Sequence, residues 1–448
     1  MVKKGYKKTE VGVIPEDWEV KYLKQISPSQ SVGLVINPSS YFDEKGTVPS
    51  LVGSQISENH INWEIANRIT EASNESLPAS RLKAGDLVTV RVGEPGITAV
   101  VPPELDGCNC ASMMIVRQHP SFNSLWLCYM MNSRLGKAQI NHVQYGTAQK
   151  QFNISDAIDF IYPVPPFPEQ KTIAQTLSDV DALIAALDKH IAKKRNIKTG
   201  TMQQLLTGKT RLPGFGEGKG YKKSAIGVIP EDWEVDDLGK FITEFRGGAP
   251  LKPSDFTNGG VKVLPKGAVV RGGFLKINDK DLQFCSKQYA NHYGKNKINN
   301  TYIVVVLRDL VPSGPSIGLI VKIKKPEIYI LAQGVYGFKT QGIIDEYLIQ
   351  YSNSFPYRKL MNEIMVGSTQ VHITNTAFKA IKLPFPPLPQ QKAIAQVLSD
   401  IDTEITALEK RRAKTQAIKQ GMMQELLTGR TRLKIEHPDD PITKNSNG

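Results

Sequence analysis

Two short stretches of this chain carry residues able to touch nucleic-acid bases, and each stretch occurs twice. In LKAGDLVTVRVGEPGITAVV and TYIVVVLRDLVPSGPSIGLIV, Arg91 and Arg308 stand at the ends of apolar runs, ahead of glycine-containing loops, the second of which includes Ser313. An arginine at a strand end can donate two hydrogen bonds to guanine or pair with a phosphate. The plainer alternative is an ion pair with Glu94 or Asp309. The second echo is GTAQKQF (146–152) against GSTQVHI (367–373), in which Gln149 and Gln370 correspond. Glutamine in an exposed loop suits the N6/N7 edge of adenine, and Thr147, Lys150 and Ser368 suit phosphate, although turn formation and capping explain Gly, Ser and Thr equally well. SKQYANHYGKNKINN (286–300) mixes Lys287, Lys295 and Lys297 with Tyr289, His292 and Tyr293, which could line a phosphate path or form a solvated loop.

Other stretches look like chemistry and fail on inspection. Gly208-Lys209-Thr210 resembles the end of a phosphate-binding loop, but Gln203 stands where that motif needs a small residue. GFGEGKG (214–220) follows a helix end, not a strand, and reads as a linker. Asn37-Pro38-Ser39-Ser40 lacks the second proline and the aromatic of the Asn-Pro-Pro-Tyr motif of adenine methyltransferases. Cys108 and Cys110 form CNC, but no second close pair or HxxxH follows, so structural thiols are favoured over a metal site. The expectation is no catalytic residue and no metal.

The chain has 448 residues, a formal charge of +13 and a pI near 9.3, an excess that suggests a polyanionic partner. No apolar run approaches the ~20 residues that span a bilayer, and MVKKGYKKTE has no apolar stretch behind its basic residues. Four cysteines in so long a chain suit a reducing compartment. Together these features read as a soluble cytoplasmic protein without a membrane partner.

What must position the candidate residues is a duplication. GYKKTEVGVIPEDWEV (5–20) matches GYKKSAIGVIPEDWEV (220–235) at 13 of 16 positions, and 163–212 matches 384–433 at 31 of 50. The offsets are 215 and 221, so the second half carries six extra residues between its matched segments. In the longer segment Ile173, Leu177, Val180, Ile184, Leu187 and Ile191 fall at alternating spacings of four and three, a heptad seam. Its twin has Ile394, Leu398, Ile401, Ile405 and Leu408, then Arg412 where an apolar residue is expected. Prolines 168 and 389 and glycines 208 and 429 are start and stop signals. Some 38 residues make a rod of roughly 55–60 Å, which needs a partner of similar length, its own twin being the obvious one. Gly200 and Gly421, at matching places inside the rods, suggest a kink, a close crossing or simple inheritance. The basic run on the rods (Lys189, His190, Lys193, Lys194, Arg195; Lys410, Arg411, Arg412, Lys414) reads as a wet face or as a surface for partner proteins.

The stretches 21–162 and 236–383 instead show short Val-, Ile- and Tyr-rich runs punctuated by Gly, Pro and Asn, as in β-rich domains. The fold class is therefore α+β: two β-rich globular domains separated by two long helices in an internal repeat. The expected segments are 1–162, signature plus first variable domain; 163–219, first long helix and linker; 220–383, second signature plus second variable domain; 384–433, second long helix; and 434–448, a disordered tail.

Paired variable domains with IPEDWEV leading into each, and P-P-x-P-x-Q-K-x-I-A-Q-x-L-S-D leading each helix, resemble the specificity subunits of type I restriction-modification systems from about Gly5 to Leu433. The resemblance implies that each variable domain is a target-recognition domain for half of a split, asymmetric double-stranded DNA sequence. It implies that the helices form an antiparallel coiled coil with a pseudo-two-fold axis, setting the gap between half-sites. It also implies two methyltransferase (modification) subunits and restriction/translocase subunits as partners, which alone would use S-adenosylmethionine, ATP and Mg. The alternatives are a stand-alone DNA-modifying enzyme with a diverged site, or a coiled-coil adaptor.

Overall fold

The computed structural model describes residues 2–35, 37–147, 149–277, 282–310, 316–367 and 370–434. Its contacts divide the chain into two units, 1–187 with 411–448, and 188–410. Each unit thus contains one signature, one variable domain, the first half of the long helix that follows that domain, and the second half of the other long helix.

The signature folds first into a hairpin. Tyr6–Thr9 pairs antiparallel with Gly12–Pro15, and Tyr221–Ser224 with Gly227–Pro230 in the same register. Gly12 and Gly227, at φ near +111° and +112°, supply the left-handed turn residue that a side chain would disfavour. The Glu-Val that ends each signature then forms a strand against the proline-rich start of a matched segment: Glu19–Tyr22 with Ile161–Val164, and Glu234–Asp237 with Lys382–Phe385. Trp18 and Trp233 are fully buried. The indole of Trp18 donates to Glu169 at 3.0 Å and that of Trp233 to Gln390 at 3.0 Å, so each tryptophan finds the partner its N–H needs in a dry site.

The variable domains share one sheet order. In the first unit it is Thr98–Val100, Leu87–Val90, Met113–Val116, Gln30–Val32, all antiparallel. In the second it is Ile320–Lys322, Ile303–Val306, Val335–Thr340, Ile242–Arg246. The central strands LVTV and IVVV are buried throughout, as strands covered on both faces must be. A second, mixed sheet is built around a parallel pair in each unit, Val48–Leu51 with Asn109–Cys110 and Val261–Leu264 with Tyr329–Leu331. It has three strands in the first unit and five in the second. The extra strands lie among 256–298.

The long helices span Phe167–Leu205 and Leu388–Leu426. In the first unit Ile173, Ala174 and Leu177 share a core with Met423, Leu426 and Leu427. In the second, Ile394, Ala395 and Leu398 share one with Met202, Leu205 and Leu206. The start of one helix meets the end of the other in both units, so the halves run antiparallel. Beyond Ile191 the seam spacing lands on lysine: Lys198 pairs with Asp402 at 2.7 Å, and its twin Lys419 with Asp181 at 2.6 Å. Arg412, at the anomalous seam position, donates to Gln416 on its own helix at 2.8 Å. Each helix ends at a left-handed glycine, Gly208 (φ +71°) or Gly429 (φ +69°). A Cβ there would collide with Pro230 beside Trp233 or with Pro15 beside Trp18, which is why GKT and GRT serve as helix stops. Among the described residues no helix is long and apolar enough to cross a membrane. The tail from 435 onward lies outside the described residues.

Candidate nucleic-acid interface

The two echoes that lie far apart in sequence meet in space, once in each unit. In the first, Val92–Gly93 pairs antiparallel with Lys150–Gln151, Val92 opposite Gln151 and Gly93 opposite Lys150. In the second, Arg308–Leu310 pairs with Gln370–His372, Arg308 opposite His372 and Leu310 opposite Gln370. Each pairing makes a two-stranded ribbon that leaves the central sheet, and a two-stranded ribbon is narrow enough to enter a DNA major groove.

The turn of each ribbon explains one part of the echo. Tyr145 and Gln151 exchange both backbone hydrogen bonds at 2.9 Å, as do Val366 and His372 at 3.0 and 2.9 Å. Gly146 (φ +97°) and Gly367 (φ +118°) follow the first residue of each pair. A Cβ at either would run into the carbonyl of Gln149 or Gln370, so the turn requires these glycines. Thr147, Gln149, Lys150 and Gln370 are exposed. Among the described residues none of their side chains has a hydrogen-bond or ion-pair partner. Ser313 and Ser368 lie outside the described residues.

The arginines do not correspond as the sequence suggests. Gln151 and His372 are twins, and their partners are Val92 and Arg308, so Arg308 stands where the first unit has Val92. Arg91 corresponds to Leu307: Phe152 N donates to the Arg91 carbonyl at 3.3 Å, and Ile373 N to the Leu307 carbonyl at 2.8 Å. A shift of one residue places a side chain on the other face of a strand. Leu307 is accordingly buried, while Arg91 is half-buried and turns its Nε onto the Phe152 carbonyl at 3.3 Å. The expected alternative, an ion pair with Glu94 or Asp309, is formed by neither arginine. Arg308 has no side-chain partner among the described residues, and the Asp309 carboxylate accepts from the Ser316 hydroxyl at 2.6 Å. The third stretch folds partly as a helix, Lys287–His292, with Tyr289 and Tyr293 in ring contact at 4.5 Å and Lys297 donating to Asn291 at 2.8 Å.

All four cysteines are reduced and buried. Burial pushes the Cys108 thiol up to about 12, and raises Cys110 and Cys128 as well, so these thiols are poor nucleophiles and poor ligands. Among the described residues no group of His, Cys, Asp and Glu could hold a metal ion.

One feature escaped the sequence reading. The Asp181 carboxylate that holds Lys419 also accepts from Tyr129 at 2.8 Å, and Asp402, which holds Lys198, accepts from Gln350 at 3.0 Å. Tyr129 and Gln350 are twins at offset 221, each on a helix of the variable domain. The signal was a lysine on an otherwise apolar seam in both copies, the kind of residue that specifies register.

The family model described as "Type I restriction modification DNA specificity domain" matches residues 15–194 and 230–420. The chain is 29% identical over 440 residues to the type I restriction enzyme MjaVIII specificity subunit of Methanocaldococcus jannaschii, covering 94% of each chain. It is 30% identical over 445 residues to the putative type I restriction enzyme MjaX specificity subunit of the same organism, covering 96% of this chain and 97% of the other. In fold it is similar to the type I restriction-modification S subunit from M. genitalium, at 14% identity and a TM-score of 0.55 over 91% of this chain and 96% of that one. It also resembles a structure described as concerning complex assembly and conformational transition of the type I R-M system, at 16% identity and a TM-score of 0.53 over 93% and 99%. With two matched segments that cover most of its length, the chain belongs to the type I restriction-modification DNA specificity family.

Proposed function

We propose that this chain is the non-catalytic, sequence-reading subunit of a type I restriction-modification complex, each variable domain reading one half of an asymmetric bipartite DNA target. The observation that carries this is the pair of ribbons. In each unit two separate sequence echoes converge on one hairpin whose tip offers unpartnered amide, hydroxyl or ammonium groups. Gln149, Lys150 and Thr147 serve the first half-site, and Arg308 and Gln370 the second. Arg91 is assigned to support of its own ribbon.

Methyltransferase subunits would dock on the helices. A stripe of exposed Lys193, Ile197 and Gly200 recurs as Lys414, Ile418 and Gly421, and a Cβ on either glycine meets nothing within 4 Å. A glycine in a helix costs roughly 0.5–1 kcal/mol relative to alanine, and its retention facing open space in both copies favours two identical partners. S-adenosylmethionine, ATP and Mg belong to those partners and to the translocase in this reading. The test is to exchange 21–162 for another recognition domain in a host carrying the intact system, and map methylated adenines genome-wide. One half of the methylated sequence should change. Alteration of both halves would overturn the two-reader assignment, and methylation by the purified chain alone with S-adenosylmethionine would overturn its non-catalytic role.

A further inference from the structure

One pair of corresponding places in the two variable domains differs in charge. In the first unit a tight hairpin, Ile56–Ser57 with His60–Ile61, carries Glu58 at its turn. Lys137 is the fourth residue after the Ser133 cap of helix Arg134–Val143, and its ammonium forms an ion pair with Glu58. The second unit has the same two elements. Its helix Phe355–Ile364 is capped by Ser354, and the fourth residue on is Arg358. Its hairpin is closed by the Val269 to Leu275 bridge and by Lys276 N donating to Ala268 O at 2.9 Å, as Asn62 N donates to Gln55 O at 2.8 Å in the first unit. The second turn is one residue longer, and counting from its first strand, from Ala268 as from Gln55, the residue at Glu58's place is Arg271. An ion pair has been replaced by two cations.

The two arginines thus stand on the two elements that carry the ion pair in the first unit. Arg358 donates to the Ile317 carbonyl at 2.5 Å, and Ile317 bridges Val306, two residues before Arg308 of the ribbon. Burial, and then the charge of Arg271, pull the Arg358 guanidinium below its ordinary pKa. Arg271 is exposed on a turn opened by Gly272 (φ +117°) and Gly273 (φ +81°). Among the described residues neither arginine has a carboxylate within ion-pair distance. Elsewhere in this domain clustered cations are neutralised: Arg246 and Lys339 share Glu244, whose carboxyl is held down to about 2 by Lys339 first. Two like charges kept together without an acid leave room for an external anion.

We propose that Arg271 and Arg358 form a backbone-phosphate clamp beside the second ribbon, a contact that the first variable domain lacks because Glu58 neutralises Lys137. The occupant is a phosphodiester of the DNA being read, and the inference rests on the DNA-reading assignment above. The clamp adds affinity without sequence preference, so the second half-site is gripped more tightly by its backbone than the first.

The test is a salt series of DNA-binding titrations with the full-length chain, on its mapped target and on a random-sequence duplex. Each phosphate contact contributes about −0.9 to the slope of log K against log salt. Arg271→Gln should therefore flatten the slope by about one on both duplexes, and Arg271→Glu by about one to two, since the new carboxylate also engages Arg358. Glu58→Arg, which builds the same pair in the first unit, should steepen it by about one. The urea midpoint of Arg271→Glu should match or exceed that of the unaltered chain, because the first unit's ion pair is restored. Wild-type slopes for both Arg271 variants would overturn the clamp. Failure of the ribbon reading shows itself separately, as an unchanged methylated sequence after Gln370→Ala with the Arg271 slope effect intact.

Discussion

Tyr129 in the first unit and Gln350 in the second occupy corresponding places, and both reach an aspartate that a lysine of the helix seam already holds. The tyrosine is well satisfied there, whereas Gln350 keeps its Oε1 buried with no partner. The same contrast recurs at the signature. Arg432 clasps Asp17 with both terminal nitrogens at 2.9 Å and also binds the buried Glu169. Arg211 clasps Asp232 at 2.9 and 2.8 Å but finds only the neutral Gln390 beyond it. Tyr6 and Tyr221 complete the two clasps by donating to the carbonyls of Gly429 and Gly208 at 3.0 and 3.2 Å. Duplication preserved the ion pairs at which the chain touches itself and let the third partner of each one change. At the clasp the second unit has a neutral amide, Gln390, where the first has the carboxylate of Glu169.

This contrast can be broken most severely at the clasp. Arg432→Met leaves Glu169 buried without its cation and should cost about 3–5 kcal/mol in urea unfolding, the usual penalty for orphaning a buried charge. Arg211→Met should cost roughly 1–2 kcal/mol less, since Gln390 carries no charge and Lys219 stays near Asp232. Equal losses would show that the acid at 169 adds nothing beyond the amide at 390.

At the helix seam, Tyr129→Phe removes a hydrogen bond to a charged group and should destabilise by about 1.5–3 kcal/mol. Gln350→Met should change stability by less than about 1 kcal/mol, because it removes an orphaned acceptor together with the lost bond. A larger loss at 350 than at 129 would reverse the assignment.

At the ribbons, Arg308→Ala should weaken binding to the mapped target by about 1–3 kcal/mol and relax one base position of the second half-site. Arg91→Ala should leave base preference unchanged, because its guanidinium is engaged with the Phe152 carbonyl. The methylation map of each variant decides between them.

The smallest expected effect concerns pH. Hydrogen bonds from Arg432 and Arg211 hold the Asp17 and Asp232 carboxyls below the ordinary aspartate value. Groups depressed in the folded state stabilise above their unfolded pKa, near 3.9, and that stability is lost as pH falls through the lower folded values. Unfolding followed from pH 6 to pH 2 should therefore show a loss beginning near pH 4. Asp17→Asn and Asp232→Asn should each shrink it, Asp17 by less because its side chain is half exposed and screened.

Much of this was legible in the linear chain. The duplication, the two β-rich domains, the long helices with their glycine stops, and the recurrence of Gln149 as Gln370 all follow from local pattern and from comparing one half with the other. The correspondence of Arg91 with Arg308 was misread because both arginines close similar apolar runs. Strand register depends on which carbonyl each partner strand meets, and that is not written in either run alone.

Sequence by itself determined the repeat, the kinds of element and the side chains available for touching DNA, because heptad spacing, turn glycines and β-branched runs act over a few residues. Only the tertiary structure decided which of those side chains come together. It brought 91–93 to 150–152 and 308–310 to 370–373, joined Lys419 to Asp181 and Lys198 to Asp402, and paired Glu58 with Lys137. Hydrogen bonds and charges act over a few ångströms, and residues separated by tens to hundreds of positions meet at that range only once the chain has folded.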